Sequence, residues 1–401
     1  MSGHLRRIAH RTRAWTRALG IACCIAGCGG GVDSGGTGAP QASFASGPIT
    51  GFGSVIVNGV HYDDRSARIT DADGNVRSRD DLKLGMTTEI DGTAVVTNAD
   101  ASISSTATTI VYGSSVLGPI TRIDTAAGTM VVLGQTVVVT LSTVFDTRLS
   151  GGLAALSSGD LVEVYALADA TQRRYVATRI ERRDSVPAYA LRAVVGNVNA
   201  AARTFELGGL SVSYAGLPAG DSNATPVNGR FLRVQLGTVP LGVVWQAVRQ
   251  RGDDGRLDDH GEARIEGLIN AYTSSAQFSV DGIAVDASAA GFPDGTAGLA
   301  AGVRVAVEGN VQSGVLAATK VRIKSESSVE NEGFELDGAI DSIDAVRREF
   351  VVRGVAVDYS GSVDFRDGTS ADLAMGRRVE VRGPLSADGT RLRAERIRFR
   401  Q

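Results

Sequence analysis

The chain has 401 residues, is 43% apolar and 5% aromatic, and carries 50 glycines, well above the ordinary share. Its 41 basic and 44 acidic residues leave a formal charge of −3, which argues against a general nucleic-acid binder, while four His and three Cys exclude a Cys/His zinc protein. The apolar fraction suits a folded chain and excludes wholesale disorder.

Residues 1–17 hold Arg6, Arg7, Arg11, Arg13 and Arg17 and no acid. A short apolar run, Ala18 to Gly27, follows; it is too short to span a bilayer and fits the core of a signal peptide. The run ends Ile25-Ala26-Gly27-Cys28, which resembles the lipobox of bacterial lipoproteins. That resemblance implies cleavage before Cys28, acylation of Cys28, and, with Gly29 rather than Asp next, an outer-membrane destination. The alternative is an ordinary secretory signal with an incidental Cys. The Arg6-Arg7 pair suggests twin-Arg export, but the following residues fit it poorly. Removal of 1–27 leaves 36 bases against 44 acids, a charge of −8. With Cys23, Cys24 and Cys28 all at the signal, the body is expected to have no disulfide and no thiol nucleophile. Residues 28–46, rich in Gly, Ser and Ala, read as a flexible tether.

The rest of the chain repeats itself. A leucine, two residues and a glycine recur as Leu82 to Gly85, Leu156 to Gly159, Leu299 to Gly302 and Leu373 to Gly376, with Val227-Asn228-Gly229 as the third copy; these glycines are 74, 70, 73 and 74 residues apart. An upstream glycine recurs as Gly59, Gly134, Gly209, Gly282 and Gly354. A closing pattern pairs Ala107 with Ile110, Ala177 with Ile180, Ala318 with Val321 and Ala394 with Ile397. The resulting divisions are β repeats 47–113, 114–184, 185–252, 262–327 and 328–401, with an acidic linker at 253–261.

The last repeat predicts its elements most clearly. Strands are expected at Leu336 to Ile340, at Phe350 to Val352 and at Val355 to Val357. Ser370 to Ala374 reads as one helical turn, and Arg377 to Arg382 alternates as a half-buried strand. The last strand, Leu392 to Phe399, points Leu392 and Ala394 inward and then Ile397 and Phe399, a phase slip that a β-bulge supplies. The same slip is expected from Leu316 to Val321 and from Tyr175 to Ile180, as suits a strand that curves to close a small barrel. Strand, strand, strand, helical turn, strand, strand is the order of a five-stranded OB-like barrel. The expected fold is therefore all-β, five tandem OB-like barrels; small β-sandwich or SH3-like units are the alternative.

The opening Gly47 to Val60, with Leu82 to Met86 downstream, resembles the bacterial domain-of-unknown-function 5666 family. The resemblance extends over residues 47–400 and implies a secreted or lipid-anchored protein with tandem copies. It implies no activity and no catalytic motif.

Candidate sites are few. His61, followed by Asp63 and Asp64, offers a His–Asp pair for acid/base work, against a plain surface His at a strand end. Asp253, Asp254, Asp258 and Asp259 offer oxygens to a hard cation such as Ca²⁺, against a solvated linker. The Arg251-Gly252-Asp253 triplet is read as coincidence. Asp71 to Asn75 superficially resembles a calcium loop but lacks its spacing, so its Asp-Gly step is a turn. Arg391, Arg393, Arg396, Arg398 and Arg400 form a basic stripe that could hold a lipid phosphate or an acidic glycan, against a solvated face that blunts edge pairing. The third repeat departs most, with Pro218, Pro226, Pro240 and the apolar stretch Leu241 to Trp245; if one repeat is specialised, it is this one.

These observations lead to a non-enzymatic envelope lipoprotein, anchored through Cys28, with no cofactor and no nucleic-acid partner. It would serve as a scaffold or binding module for an envelope protein or glycan; glycan binding on a barrel face is the first alternative and an envelope hydrolase the second.

Overall fold

Backbone geometry explains the two periodic glycines. In the computed structural model, which describes residues 42–218, 225–253 and 257–400, Gly59, Gly134, Gly209, Gly282 and Gly354 all have positive φ. Each follows a residue that also has positive φ: Asn58, Leu133, Gly208, Asp281 and Arg353. Two successive positive φ values make the tight primed turn that matches strand twist, and glycine adopts the second without strain. The downstream glycine has a different duty. Gly85, Gly159, Gly229, Gly302 and Gly376, again at positive φ, donate their N–H at 2.8 Å to Ile49, Ile120, Val195, Ile269 and Ile340 respectively. Those five side chains are at most 2% exposed. The glycine thus carries the chain across the barrel end and locks it to the first strand. The expected Cys28 acylation site, the signal and Asp254 lie outside the described residues.

The fold is nearly all-β, with a single α-helix, Glu326–Glu332, among the described residues. Small closed five-strand barrels are its building blocks. Strand Val116–Asp124 pairs antiparallel with Thr129–Val132, and that strand with Gln135–Val138. Gln135–Val138 runs parallel to Arg174–Arg183, which pairs antiparallel with Leu161–Asp169. Leu161–Asp169 then returns to Val116–Asp124 and closes the ring. Strands His260–Ser274, Gln277–Val280, Ile283–Asp286, Arg304–Gln312 and Val315–Ile323 close in the same order. Closure removes the unpaired edges that would invite aggregation.

The bulge falls where the phase slip requires it. Opposite Tyr165 and Ala166 stand Arg179 and Ala177, so Thr178 is the extra residue; Thr319 is extra in the same way between Ala318 and Lys320. Tyr175, Ala177 and Ile180 are therefore all buried, as are Leu316, Ala318 and Val321. In the last segment the slip is a full break, between Arg391–Arg393 and Arg396–Phe399, and Leu392, Ala394, Ile397 and Phe399 are buried on both sides of it. The helical turn is a short 3₁₀ helix, Ser370–Asp372. The leucine before each marker glycine plugs a barrel end: Leu82, Leu156, Leu299 and Leu373 are buried. Val227, its counterpart in the third repeat, is 53% exposed.

Three expectations are corrected. Residues 43–46 belong to a strand, Ser43–Phe52, and not to the tether; Phe44 and Ala45 are buried because the strand is clamped between Thr87–Gly92 and His260–Ser274. The acidic linker 253–261 is shorter than expected, because strand Trp245–Asp253 runs into it and strand His260–Ser274 begins before its end. The division at 327/328 falls inside the helix Glu326–Glu332, capped by Ser325, whose Oγ accepts from Ser328 N at 3.1 Å.

Contacts also join segments that are distant in sequence. Strand Ser43–Phe52 runs parallel to His260–Ser274 at one end and to Phe334–Asp344 at the other. Phe44 packs inside the core of residues 263–321. Part-buried ion pairs border a recess of about 270 Å³. There Arg233 holds Asp73 at 3.1 Å and also donates to Ser114 O, and Arg192 holds Asp281 at 2.7 Å. These pairs leave few donors unsatisfied, which is the condition for tolerating buried charge.

Candidate functional site

Alternation on three neighbouring strands builds a polar recess. On Phe334–Asp344, Arg378–Gly383 and Arg396–Phe399, the side chains of Leu336, Val379, Val381, Ile397 and Phe399 fill the core. The residues between them must point outward, because successive side chains on a strand alternate. The register sets Glu335 opposite Arg382 and Arg382 opposite Arg396, then Glu380 opposite Arg398. Charge therefore runs across the sheet in rows. Arg382 meets Glu335 at 2.8 Å and Glu380 at 3.1 Å; Arg378 meets Asp337 at 2.6 Å; Arg400 also meets Glu380.

This face looks onto the first repeat. Two recesses, of about 660 and 620 Å³, share His61, Asp100, Glu335, Glu380, Arg382 and Arg398 and form one cleft. One opens toward residues 264–324 and the other toward Arg65, Arg79 and Arg353. Eleven Arg and Lys side chains and eight carboxylates line the cleft. Arg398 lies in both recesses; its Nε is buried without a hydrogen-bond partner, the nearest carboxylate being Asp367 at 3.7 Å.

His61 sits inside strand Val60–Asp63, half-buried, rather than on the surface at a strand end. The expected His–Asp pair does not form. Asp63 is taken by Arg65, with Nε at 2.9 Å and Nη2 at 2.5 Å, a hydrogen-bonded pair that lowers the exposed carboxyl to about 2. Asp64 is taken by Arg79 at 2.8 and 2.7 Å. His61 Nδ1 instead faces Ser54 Oγ at 3.4 Å, the outer limit of a hydrogen bond. Asp100 commits its Oδ1 to the N–H and hydroxyl of Ser102. Burial, and then the nearby Arg382, hold the His61 imidazole below its ordinary value. Burial raises the Glu335 carboxyl, more than Arg382 lowers it. Guanidinium groups held by carboxylate partners thus line the cleft.

The basic stripe divides at the strand break. Arg396, Arg398 and Arg400 line the cleft, whereas Arg391 turns to Glu349 at 3.5 Å and Arg393 donates to Leu385 O. Arg378, Arg382, Glu335 and Glu380 were not singled out from sequence, although the alternation of Arg378 to Arg382 marks them as outward-facing.

Asp259 Oδ1 accepts the Ser313 N–H at 2.7 Å, and the carbonyl of Asp258 faces His260 Nδ1 at 2.6 Å; Asp253 ends a strand. Among the described residues, no group of three or more His, Cys, Asp or Glu is placed to hold a metal ion. Asp71 to Asn75 is a turn: Gly74 N donates to Asp71 O at 2.8 Å, and Asp71 binds Asn75 and Arg77.

Comparison with known proteins agrees with the repeat architecture. The family model for a domain of unknown function, DUF5666, matches residues 118–181, 266–322 and 337–398. These stretches place DUF5666-like repeats in the chain. The matched stretches include the second repeat and not the first, whose residues carried the resemblance in the sequence. No curated protein matches the chain.

Proposed function

We propose that this chain is a non-enzymatic, lipid-anchored binding module of the cell envelope, built of five tandem OB-like barrels, and that its arginine-lined cleft holds an acidic glycan. The carrying observation is the cleft itself: eleven cationic side chains against eight carboxylates, in a chain whose overall charge is −3. Arg398, which lies in both recesses and makes no hydrogen bond through its Nε, supports the reading.

The count of five is supported by strand pairing in the remaining segments. Ser43–Phe52, Val55–Val57, Val60–Asp63, Ile103–Tyr112 and Thr87–Gly92 follow the ring order already described. So do the strands between Tyr189 and Asp253, and those between Phe334 and Phe399. The lipid anchor rests on the lipobox at Cys28.

Calorimetric titration of residues 29–401 with oligogalacturonate, and with a neutral glucan of equal length, tests the ligand. The acidic glycan should bind and the neutral one should not, with affinity falling as salt is added. Arg382→Gln with Arg398→Gln should weaken binding at least about tenfold, since hydrogen bonds to charged groups contribute about 1.5–3 kcal/mol each. Equal binding of both glycans, or an unaffected double variant, overturns the assignment. For the anchor, Cys28→Ser should abolish fatty-acid labelling and release the protein from membranes; survival of both rejects acylation.

A further inference from the structure

The third repeat carries a feature that the cleft does not use. Strands Phe231–Leu236 and Trp245–Asp253 are joined by a hairpin whose ladder continues to its tip: Gly237 N donates to Gln246 O at 2.9 Å, and Leu241 N to Val244 O at 2.9 Å. Gly242, at φ +64, makes the two-residue turn with Val243. Val239, Leu241 and Val243 on this tip are 76%, 76% and 85% exposed. From Val234 to Val248 no residue is ionisable, and Arg233 and Arg249 bound that run. Corresponding hairpins elsewhere have polar tips: Thr171 to Arg173, Ser313-Gly314, and Ser386 to Thr390. The apolar tip is therefore particular to this repeat, and barrel closure does not demand it.

We propose that this hairpin is a finger that inserts shallowly into a lipid bilayer. Its aliphatic tip projects from the surface, which suits a deformable apolar medium better than a rigid protein face. Behind the tip, Trp245 is half-buried and packs against Tyr189 with ring centroids 6.0 Å apart, the amphipathic aromatics favoured at a membrane interface. The exposed Arg249 that follows suits anionic headgroups. The N-terminal chain supplies proximity. Only the 14 residues 29–42 separate Cys28 from the first strand, a span of at most about 50 Å even fully extended. An acylated Cys28 would thus hold the body beside the bilayer, where the finger would add a second, apolar attachment. The proximity argument rests on the acylation reading; the character of the finger does not.

Residues 29–401 contain every core cluster and lack acyl groups, so they test the finger independently of the anchor. They also lack Trp15, which leaves Trp245 as the sole tryptophan and a built-in reporter. The probe is vesicles of phosphatidylethanolamine with a minority of phosphatidylglycerol, some carrying brominated acyl chains. Trp245 emission should shift to the blue and be quenched by the brominated lipid. Leu241→Asp with Val243→Asp should lower vesicle partition at least about tenfold, since acidic side chains resist entry into the bilayer, with an unchanged melting temperature. A triple serine variant, Val239→Ser, Leu241→Ser and Val243→Ser, should do the same and guards against misfolding of the aspartate pair. Absence of shift and quenching, or undiminished binding by both variants, overturns the proposal. So does a concentration-dependent blue shift without vesicles that both variants abolish, which would make the finger a self-association surface. Vesicle binding by the finger with no fatty-acid labelling at Cys28 would uphold the finger and reject only the anchor.

Discussion

Replacing Phe44 with alanine separates a tether from a structural strand. Phe44 is 5% exposed and belongs to a core whose other buried members lie between Ala263 and Val321. Its ring also lies 5.5 Å from that of His260. Removing a fully buried phenyl ring costs about 3–5 kcal/mol, part lost transfer energy and part cavity. An inter-barrel site can relax, so the lower end, about 3 kcal/mol, is expected here. A chain of several barrels need not unfold in one step, so hydrogen exchange is the better assay. Protection should fall in His260–Ser274, Arg304–Gln312 and Ser43–Phe52. It should persist in Val116–Asp124 and Leu161–Asp169, which belong to another core. A change below about 0.5 kcal/mol, the range of ordinary surface substitutions, would refute the reasoning. So would a loss spread evenly over the molecule.

Two glycines should respond differently to alanine. At Gly309 a Cβ would meet Ala317 O at 2.2 Å, whereas at Gly376 it would meet nothing within 4 Å. Gly309→Ala should therefore cost about 3 kcal/mol or more by overpacking, and Gly376→Ala, strained only by its positive φ, about 1–2 kcal/mol; thermal melts that reverse this order contradict the account. Asp73→Asn removes the charge partner of Arg233, which is 8% exposed, and since Asp73 is only part-buried and Arg233 keeps its bond to Ser114 O it should cost about 1–3 kcal/mol, much of it recovered by adding Arg233→Met. If the double variant is no more stable in urea than the single one, the pair is not the cause. In the folded protein burial acts to raise the Asp73 carboxyl, but the hydrogen bond and charge of Arg233 hold it below its ordinary value. Its folded value thus lies under the unfolded one of about 3.9, so its stabilisation is complete above about pH 4 and is lost as pH falls through the folded value. Melting temperature measured from neutral pH downward should fall in that range, and Asp73→Asn should lessen the fall.

Much of the barrel was legible because its devices are local. A residue pair such as Asn58-Gly59 makes its turn from its own φ values, and the phase slip from Ala394 to Ile397 declares a bulge or break wherever the strand lies. The inward faces followed from alternation alone. Ser43 to Ser46 reads as tether because one Phe among Ser and Ala carries no periodic signal, and the parallel pairing that makes the stretch a strand comes from Glu262 to Ile265, more than two hundred positions away. His61 was legible only as a residue at a strand end and not as a cleft residue, since Arg382, Glu335 and Arg398 reach it only through packing of the first segment on the last.

Local chemistry therefore determined the period, the turns, the bulges and the buried side of each strand. These need only backbone sterics and the exclusion of apolar groups from water, both set within a few residues. The tertiary structure decided which barrels touch. That outcome depends on the relative placement of distant surfaces, where ion pairs such as Asp73 with Arg233 and the parallel ladder of Ser43–Phe52 must meet in three dimensions. The arginine cleft and the exposed finger both arise at that level, because a surface becomes a site only when its neighbours have been placed.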